Sequence, residues 1–276
     1  MQPINVMLNG LPGNVSTVIA RHIQADNRFN LMPWSLTGPE IEAPTCMVGP
    51  LEIKLVRPND REAVLNDLSE KEAPFIVVDY THPSAVNDNA VCYCRHGLPF
   101  VMGTTGGNRK GLVRTVESSL GTAVIAPNMA KQIVGFQAMM EWGAQTFPNL
   151  FKGYELTIRE SHQHGKADTS GTAKAMVGHF NHLGIDYAAD AIEMERDPRR
   201  QAETWGIPEA YLGGHGWHTY TLVSQDKTVK FEFTHNISGR EIYAHGTMDA
   251  IVYLESKIRA GQKGKVFSMI DVLKGL

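Results

Sequence analysis

The strongest constraint on the fold is the alternation of short apolar runs with amphipathic stretches through the first half of the sequence. Apolar runs of strand length occupy residues 4–8, 75–79, 100–102 and 122–126, and helical spacing of apolar residues follows them. The run at 75–79 is almost continuously apolar, as in a strand that is buried on both faces of a parallel sheet. Strands that alternate with helices predict an α/β fold with a Rossmann-like, doubly wound parallel sheet.

A glycine turn separates the first predicted strand from the first predicted helix. Gly10 and Gly13 lie in the turn, and Asn14 and Val15 open the helical stretch. In dinucleotide-binding folds, the first glycine permits a tight turn and the second lets the backbone approach the pyrophosphate. Ser16 stands where a third glycine is expected. We predict that Gly10, Gly13, Asn14 and Val15 bind a nicotinamide dinucleotide; a turn without a ligand is the alternative.

The ends of later strands carry further candidate contacts to the cofactor. A predicted strand at 31–36 ends in Thr37, where an acidic residue would bind the ribose 2′-hydroxyl of NAD and repel the 2′-phosphate of NADP. No acidic residue follows directly, so we predict that Thr37 contacts the cofactor and that NADPH is preferred, with NADH possible. Thr81 follows the run at 75–79, and Gly103 begins a loop of glycine and threonine. Such loops suit a ligand at the sheet edge, and a flexible turn is the alternative.

The pattern changes near residue 128, which indicates a second domain. The predicted elements are a helix at 131–146, a strand at 155–160, a helix at 171–183, a hairpin of strands 219–223 and 229–234, a hinge at 236–240 and a returning helix at 241–259. The hairpin predicts an α+β domain with a mixed or antiparallel sheet. We predict a dinucleotide-binding domain at 1–128 plus 241–276, and a substrate-binding and oligomerisation domain at 129–240.

A loop of ionisable groups joins the strand at 155–160 to a helix start. His162, His164, Lys166 and Asp168 lie close together in the sequence, and residues 170–172 precede the helix. A helix N-terminus beside a lysine favours a carboxylate or phosphate, and histidine and lysine can transfer protons at neutral pH. We predict that an anionic substrate is bound and protonated here. A capped helix beside a solvated loop is the alternative.

Composition excludes several functional classes. The chain has 26 Lys+Arg and 29 Asp+Glu, a formal net charge of −3, so no nucleic-acid or membrane partner is expected. No apolar run is long enough for a transmembrane helix, and no signal peptide precedes the first strand. The expected location is the cytoplasm, or the plastid stroma if a transit peptide was removed. Cys46, Cys92 and Cys94 fit no disulfide framework.

A metal site is a second interpretation of the histidines. His162, His164 and Asp168 form one candidate group, and His215 and His218 form another. Histidines two or three residues apart can bind zinc, but no cysteine or carboxylate set completes a recognisable pattern. We therefore predict no metal site.

The run ESHQHGKADTSGTA at residues 160–173 resembles the signature of the dihydrodipicolinate reductase family. The glycine turn, the loop at 103–106, Asn128 and the returning helix follow in the expected order, so the resemblance covers nearly the whole chain. It implies NAD(P)H-dependent reduction of 4-hydroxy-tetrahydrodipicolinate in lysine biosynthesis. It also implies roles for particular residues: His162 and Lys166 in catalysis, Ser170, Gly171 and Thr172 on a substrate carboxylate, and Gly103, Thr105, Ala126 and Met129 beside the nicotinamide.

The sequence departs from the bacterial pattern of this family. Gln163 replaces the second of two adjacent histidines and is expected to touch the substrate, and the loop before Ser170 is shorter and lacks a proline. With the segment at 213–218, these features are similar to the plant-type branch. Bacterial members are commonly tetramers, whereas the resemblance to the plant-type branch implies an assembly that stops at dimers. A homodimer or a homotetramer is therefore expected here. A non-catalytic NADPH-sensing regulator and a reductase of another small carboxylate are the alternative functions.

Overall fold

The computed structural model describes residues 2–275, which form two compact units. One unit combines the chain up to Lys131 with the chain from Glu241 onward, and the other is Gln132–Arg240. The first unit is therefore discontinuous in sequence, and the second is inserted into it.

The strands, in chain order, are β1 (Ile4–Asn9), β2 (Phe29–Leu31), β3 (Trp34–Leu36), β4 (Thr45–Val48), β5 (Leu51–Val56), β6 (Ile76–Asp79), β7 (Phe100–Met102), β8 (Thr122–Ile125), β9 (Tyr154–His162), β10 (Glu193–Glu195), β11 (His215–Ser224), β12 (Lys230–Ser238) and β13 (Lys265–Phe267). The α-helices are α1 (Asn14–Ala25), α2 (Arg61–Lys71), α3 (Val86–Arg95), α4 (Arg109–Glu117), α5 (Lys131–Thr146), α6 (Gly171–His182), α7 (Pro198–Glu203), α8 (Glu241–Arg259) and α9 (Met269–Lys274).

The first unit is built on a parallel sheet of six strands in the order β13-β8-β7-β6-β1-β2. Strands β6 and β7 are buried at every position, as expected where both faces of a sheet are covered. The predicted Rossmann-like parallel sheet is confirmed. Strand β13 was not predicted, because its three residues begin with an exposed lysine and none of them is fully buried, so they form no continuous apolar run.

The run predicted as one strand at residues 31–36 is divided between two sheets. Leu31 ends β2, and Trp34 begins β3, which joins β5 and β4 in a separate three-stranded sheet. Pro33 lies between them and has no N–H group to donate to a strand ladder. The prediction of a continuous strand was therefore wrong, although Thr37 does follow the end of β3.

Helix α8 packs within the first unit against α1, β7 and β8. Its buried residues include Ala244, Gly246 and Ala250, whose small side chains allow close packing. The carbonyl group of Met129 lies so close to Gly246 that a β-carbon there would overlap it. Glycine at this position is therefore required by the approach of the chain that follows β8.

The second unit contains a four-stranded sheet in the order β10-β9-β11-β12. Strands β9 and β10 are parallel, whereas β9, β11 and β12 pair in antiparallel fashion. This mixed sheet confirms the second half of the predicted fold class. The hairpin is longer than predicted, because β12 continues to Ser238 and includes part of the segment expected to be a hinge.

One face of this sheet carries the hydrophobic core of the second unit. Met176 and Phe180 of α6 and Ala144 of α5 belong to this core. Cross-strand neighbours on this face form rows, each given in the order β9, β11, β12: Leu156, Leu222, Phe231; Ile158, Tyr220, Phe233; Glu160, His218, His235; His162, Gly216, Ile237. The face is thus apolar in its first two rows and ionisable in the third.

Candidate functional site

Four predicted cofactor-binding positions follow neighbouring strands of the parallel sheet. Gly10 follows β1, Thr81 lies beyond β6, Gly103 follows β7 and Ala126 follows β8. Strands β1 and β6 are neighbours in the sheet but distant in sequence, so the strand order reverses between them. In open α/β sheets, ligands bind at the carboxyl ends of the strands beside such a reversal. The structure thus places these four positions at the edge where this class of sheet binds dinucleotides.

Two of the glycines allow a close approach to Tyr80. Gly10 has a φ of +102°, and a β-carbon there would overlap the Tyr80 carbonyl group. A β-carbon at Gly103 would overlap the Tyr80 ring. Gly13 has an ordinary φ of −57°, but a β-carbon there would lie 2.8 Å from the Gly10 carbonyl oxygen. The turn is therefore shaped by the lack of side chains, which fits close approach of a pyrophosphate to the backbone.

A buried carboxylate missed in the sequence analysis fixes two of these loops. Asp79 is fully buried and accepts hydrogen bonds from the Thr81 N–H at 3.0 Å, the Thr81 hydroxyl at 2.8 Å and the Thr104 hydroxyl at 2.7 Å. Asn89 and Tyr93 donate to its other oxygen at 2.9 and 2.6 Å. Burial, followed by the charge of Asp79, raises the pKa of Tyr93 well above its usual value. The Asp79 carboxylate therefore fixes the positions of the Thr81 and Thr104 loops, and its bond occupies the Thr81 hydroxyl.

The remaining predicted cofactor contacts differ in exposure. Asn14 and Thr105 are exposed, Val15 is half-buried and Met129 is buried. Asn14 and Val15 form the first turn of α1, so their backbone N–H groups belong to the helix N-terminus. A ligand can therefore reach Asn14, Val15 and Thr105. Met129 is buried, and its carbonyl group packs against Gly246.

The end of β3 is more acidic than the sequence analysis assumed. Thr37 is buried, and its hydroxyl donates to the Leu11 carbonyl at 2.8 Å. The Glu40 carboxylate turns back and lies where a side chain on Gly38 would lie. An acidic group therefore stands beside the strand end without following it directly. The preference for NADPH, which rested on the lack of an acidic residue directly after the strand, therefore stays a prediction.

In the second unit, the end of β9 and the start of α6 place the predicted substrate contacts. His162 ends β9, Ser170 caps α6 and Gly171 is the first residue of that helix. The Ser170 hydroxyl accepts a hydrogen bond from the Thr172 N–H at 3.2 Å, and the space beside Gly171 is open. This helix has twelve residues, so its N-terminus carries the partial positive charge that favours a carboxylate.

Lys166 is paired with an exposed carboxylate of its own loop. Its Nζ lies 2.7 Å from Asp168 Oδ1, and the side chains are 22% and 77% exposed. The lysine lowers the pKa of Asp168. Exposed ion pairs of this kind contribute little to stability, so a substrate carboxylate can replace Asp168. Gln163 is half-buried beside this loop, whereas His164 is exposed and contacts the Arg196 carbonyl through Nδ1 at 3.1 Å.

Glu160 lies at the centre of this group of side chains in the second unit, although the sequence analysis did not single it out. Its fully buried carboxylate accepts hydrogen bonds from Arg196 Nη2 at 2.5 Å and from the Ser170 N–H at 3.1 Å. His162 Nδ1 lies 3.6 Å from Oε1, and His218 Nε2 lies 3.6 Å from Oε2. Burial alone raises the pKa of this carboxyl, but bonds from His162, His218 and Arg196 outweigh burial and lower its pKa far below the usual range.

Arg196 connects this carboxylate to the loop that carries Lys166. Its Nε donates to the Lys166 carbonyl at 2.8 Å, and Nη2 also lies 3.3 Å from the Asp168 carbonyl. The middle of the loop is therefore attached to Glu160 through Arg196, and its far end is attached directly through the Ser170 N–H. The sequence analysis did not consider Arg196.

Two further histidines continue the row behind Glu160. His218 and His235 are stacked with ring centroids 4.6 Å apart, and Tyr220 bonds His235 Nε2 at 3.2 Å. Burial lowers the pKa of His218, and burial followed by the neighbouring histidines lowers that of His235 to about 4. Both rings are therefore neutral at physiological pH.

Among residues 2–275, two groups of side chains have the spacing of a three-residue metal site. The ligand atoms of Glu160, His162 and His218 lie within 4.8 Å of one another, as do those of a second group formed by Glu62, Cys92 and His96. In each group an arginine, Arg196 or Arg95, is bonded to the same carboxylate. A guanidinium already neutralises each carboxylate, so the donor sets are explained without an ion and we assign no metal.

The sequence did contain a signal for Glu160. Leu156 and Ile158 face the core of the second unit, and Glu160 continues the same two-residue period. A carboxylate in phase with core residues must find buried partners or lose its charge. His218 and His235 could not be linked to it without the strand register.

Comparisons with known proteins agree with this architecture. The family model described as dihydrodipicolinate reductase, N-terminus, matches residues 4–129, and the model for the C-terminus of the same enzyme matches residues 133–273. Within residues 2–275, no helix combines the length and apolar character that a membrane span requires.

Several relatives and one solved structure are similar over most of the chain. The chain is 47% identical to 4-hydroxy-tetrahydrodipicolinate reductase 2, chloroplastic, of Arabidopsis thaliana, over 98% of this chain and 77% of that protein. Identity to a probable chloroplastic reductase of Oryza sativa is 42%, over 98% of this chain and 82% of that protein. A dipicolinate-bound dihydrodipicolinate reductase from Paenisporosarcina sp. TG-14 matches with a TM-score of 0.67 and 16% identity, covering 96% of this chain and 97% of the other.

Proposed function

This chain belongs to the dihydrodipicolinate reductase family, and we propose that it reduces 4-hydroxy-tetrahydrodipicolinate with NAD(P)H in the diaminopimelate route to lysine. The observation that carries the proposal is the arrangement of the second unit. One segment joins His162 at the end of β9, Lys166 and the N-terminus of α6, and it is attached to Glu160 directly at Ser170 and through Arg196 at Lys166. This arrangement suits a substrate that carries carboxylates and must receive a proton.

The first unit supplies the binding surface for the cofactor. The tight glycine turn at Gly10 and Gly13 leads into the N-terminus of α1, whose N–H groups suit a pyrophosphate. Gly103, Thr105 and Ala126 belong to the strand ends assigned to the nicotinamide. When bound, the cofactor supplies the hydride. We propose NADPH as the preferred donor and NADH as a second one, with Glu40 as the residue that limits the preference.

In the second unit, Lys166 and the start of α6 bind the carboxylates of the substrate, and His162 donates the proton. Ser170, Gly171 and Thr172 present backbone N–H groups and a hydroxyl at the helix N-terminus. His162 Nδ1 faces Glu160, so Nε2 is the atom that faces the substrate. The 4-hydroxyl group leaves as water, and the ring double bond that remains accepts the hydride at one carbon and the proton from His162 at the adjoining carbon. Lys166 raises the electrophilicity of the ring by its fixed charge. Gln163 contacts the substrate from the same loop.

We propose a homodimer or homotetramer assembled through the second unit. Strand β12 is an edge strand of nine residues, and Phe231 on it is 42% exposed. The unpaired N–H and C=O groups of an edge strand can bond to a strand of another chain. Light scattering of the purified protein, with Phe231→Lys as the variant, tests this assembly; a wild-type monomer contradicts it. The plastid stroma or a bacterial cytoplasm is the proposed location.

The activity is tested by following substrate-dependent oxidation of NADPH, with NADH in parallel and the substrate made freshly by a coupled synthase. We expect His162→Ala to lower kcat by about 10²–10⁴-fold, because it removes general acid catalysis. The dissociation constant for NADPH, measured by fluorescence, should stay unchanged. His182→Ala, on the last turn of α6, is the matched histidine control and should retain activity. NADPH binding without turnover would indicate a regulator or a reductase of another carboxylate.

A further inference from the structure

The third row of the sheet face in the second unit holds more ionisable groups than proton donation requires. Glu160, His218 and His235 are direct cross-strand neighbours, and His162 lies two residues from Glu160 on the same face. The imidazoles of His162 and His218 each lie 3.6 Å from the Glu160 carboxylate, and His235 stacks on His218. The reaction needs a proton on His162 alone.

We propose that Glu160 is a positioning residue that keeps the proton on His162, and that buried His218 shares the other carboxylate oxygen while remaining neutral. This inference rests on the proposed function. In this arrangement Oε1 faces Nδ1 of His162 at 3.6 Å, and its negative charge orients the ring and stabilises the protonated form. The proton for the substrate is then carried on Nε2, on the opposite side of the ring.

Burial decides which histidine holds the proton. The two carboxylate–histidine distances are equal, 3.6 Å for His162 and 3.6 Å for His218. The His162 side chain is 12% exposed and that of His218 only 4%, so a positive charge is better solvated on His162. His162 Nδ1 and both ring nitrogens of His218 lack a partner within normal hydrogen-bond distance, so solvent exposure is what distinguishes the two rings. Glu160 therefore stabilises a positive charge on His162 more than a positive charge on His218.

The Glu160 carboxylate remains ionised because two hydrogen-bond donors other than the histidines also bond it. Arg196 and the Ser170 N–H both donate to it, and neither group lies on β9 or β11. The titratable or charged groups that face His162 and Glu160 are Arg196 from the segment after β10, His215, His218 and Tyr220 from β11, and His235 from β12. Of these, only Arg196 is charged at neutral pH, and it is committed to Glu160.

Gly216 leaves the opposite side of the His162 ring open. It is the cross-strand partner of His162, and a β-carbon there would lie 3.3 Å from His162 Nε2. Any side chain at this position would crowd the nitrogen that faces the substrate. The ring is thus held by a carboxylate on one nitrogen and left accessible on the other.

The decisive experiment compares the pH dependence of kcat/KM in the wild type and Glu160→Gln. We expect the midpoint of the alkaline limb, where His162 loses its proton, to move down by about one pH unit, because a neighbouring opposite charge is removed. Glu155→Gln, an exposed glutamate on the same strand, is the matched control and should leave the midpoint unchanged. A uniform loss of activity with an unmoved midpoint would show a purely structural role and overturn the proposal.

A second variant and an NMR measurement keep the test independent of folding defects and of the substrate. His218→Gln retains the Glu160–Arg196 pair, and we expect the His162 midpoint to stay in place or rise; a fall comparable to that of Glu160→Gln would overturn the proposal. In the wild type, nitrogen NMR should show neutral His162 protonated on Nδ1. The Nε2 tautomer would reject the role of Glu160, whereas lack of turnover with the Nδ1 tautomer would reject only the proposed reaction.

Discussion

Replacement of Arg196 by methionine removes the cation from a fully buried carboxylate. The Arg196 side chain is 17% exposed and that of Glu160 is 0% exposed. Breaking a buried ion pair from one side typically costs about 3–5 kcal/mol, because an uncompensated charge remains inside the protein. The carbonyl groups of Lys166 and Asp168 also lose a donor, but their loop is open to water. We therefore expect the free energy of unfolding of the second unit to fall by about 3–5 kcal/mol at neutral pH.

Urea unfolding followed by tryptophan fluorescence measures this loss. Trp142, Trp205 and Trp217 lie in the second unit, so the signal reports mainly on that unit. Arg199→Met is the matched control: this arginine is 82% exposed and pairs with Glu203, so its loss should cost less than about 1 kcal/mol. Equal, small losses for the two variants would refute the argument that the buried pair stabilises the unit.

The pH dependence of the loss has a definite sign. The pKa of Glu160 is lowered on folding, so its stabilising contribution is present above the unfolded value near 4.5 and disappears as the pH falls through the lower folded value. In Arg196→Met one cause of that lowering is gone. The difference between variant and wild type should therefore be largest at neutral pH and shrink in acid. A difference that does not change with pH would contradict the assignment to Glu160.

Three further changes test other parts of the molecule. Lys166→Ala should weaken binding of pyridine-2,6-dicarboxylate by roughly tenfold or more in calorimetry, since a charge-assisted bond is lost; unaltered affinity would reject its role on the carboxylate. Glu40→Gln should raise the ratio of kcat/KM for NADPH to that for NADH several-fold, because a negative charge beside the 2′-phosphate is removed; an unchanged ratio would place the phosphate elsewhere. Gly246→Ala should destabilise the first unit by about 1–3 kcal/mol in thermal unfolding, because its β-carbon overlaps the Met129 carbonyl; a wild-type melting temperature would contradict the packing described.

Elements with a long periodic pattern were predictable from the sequence. Helices α5 and α8 begin and end at the expected residues, and α6 ends one residue before the expected position. The continuous apolar run of β6 correctly indicated a strand covered on both faces. The failure at residues 31–36 has a local cause, since Pro33 interrupts the ladder without interrupting the apolar pattern. Hydrophobic periodicity reports burial, and it does not report which sheet a strand joins.

The candidate site was predictable only in its local part. His162, Lys166 and Ser170 lie on one continuous segment, so the order of the residues was enough to group them. Glu160 was overlooked because its partners come from distant segments: Arg196 follows β10, and His218 lies on β11. Strand register brings these groups together, and register is a property of pairing between segments. Likewise, Glu40 reaches the end of β3 only because its side chain folds back.

The discontinuity of the first unit has a consequence for synthesis on the ribosome. Strand β8 has no neighbour on one side until β13 is made, and α8, which covers β7 and β8, follows Arg240 in the chain. The second unit can therefore complete its sheet while the first unit still exposes apolar surface. Such a partly folded nascent chain is the form that chaperones must protect. A premature stop after Arg240 would leave an intact second unit attached to a first unit that lacks α8 and β13.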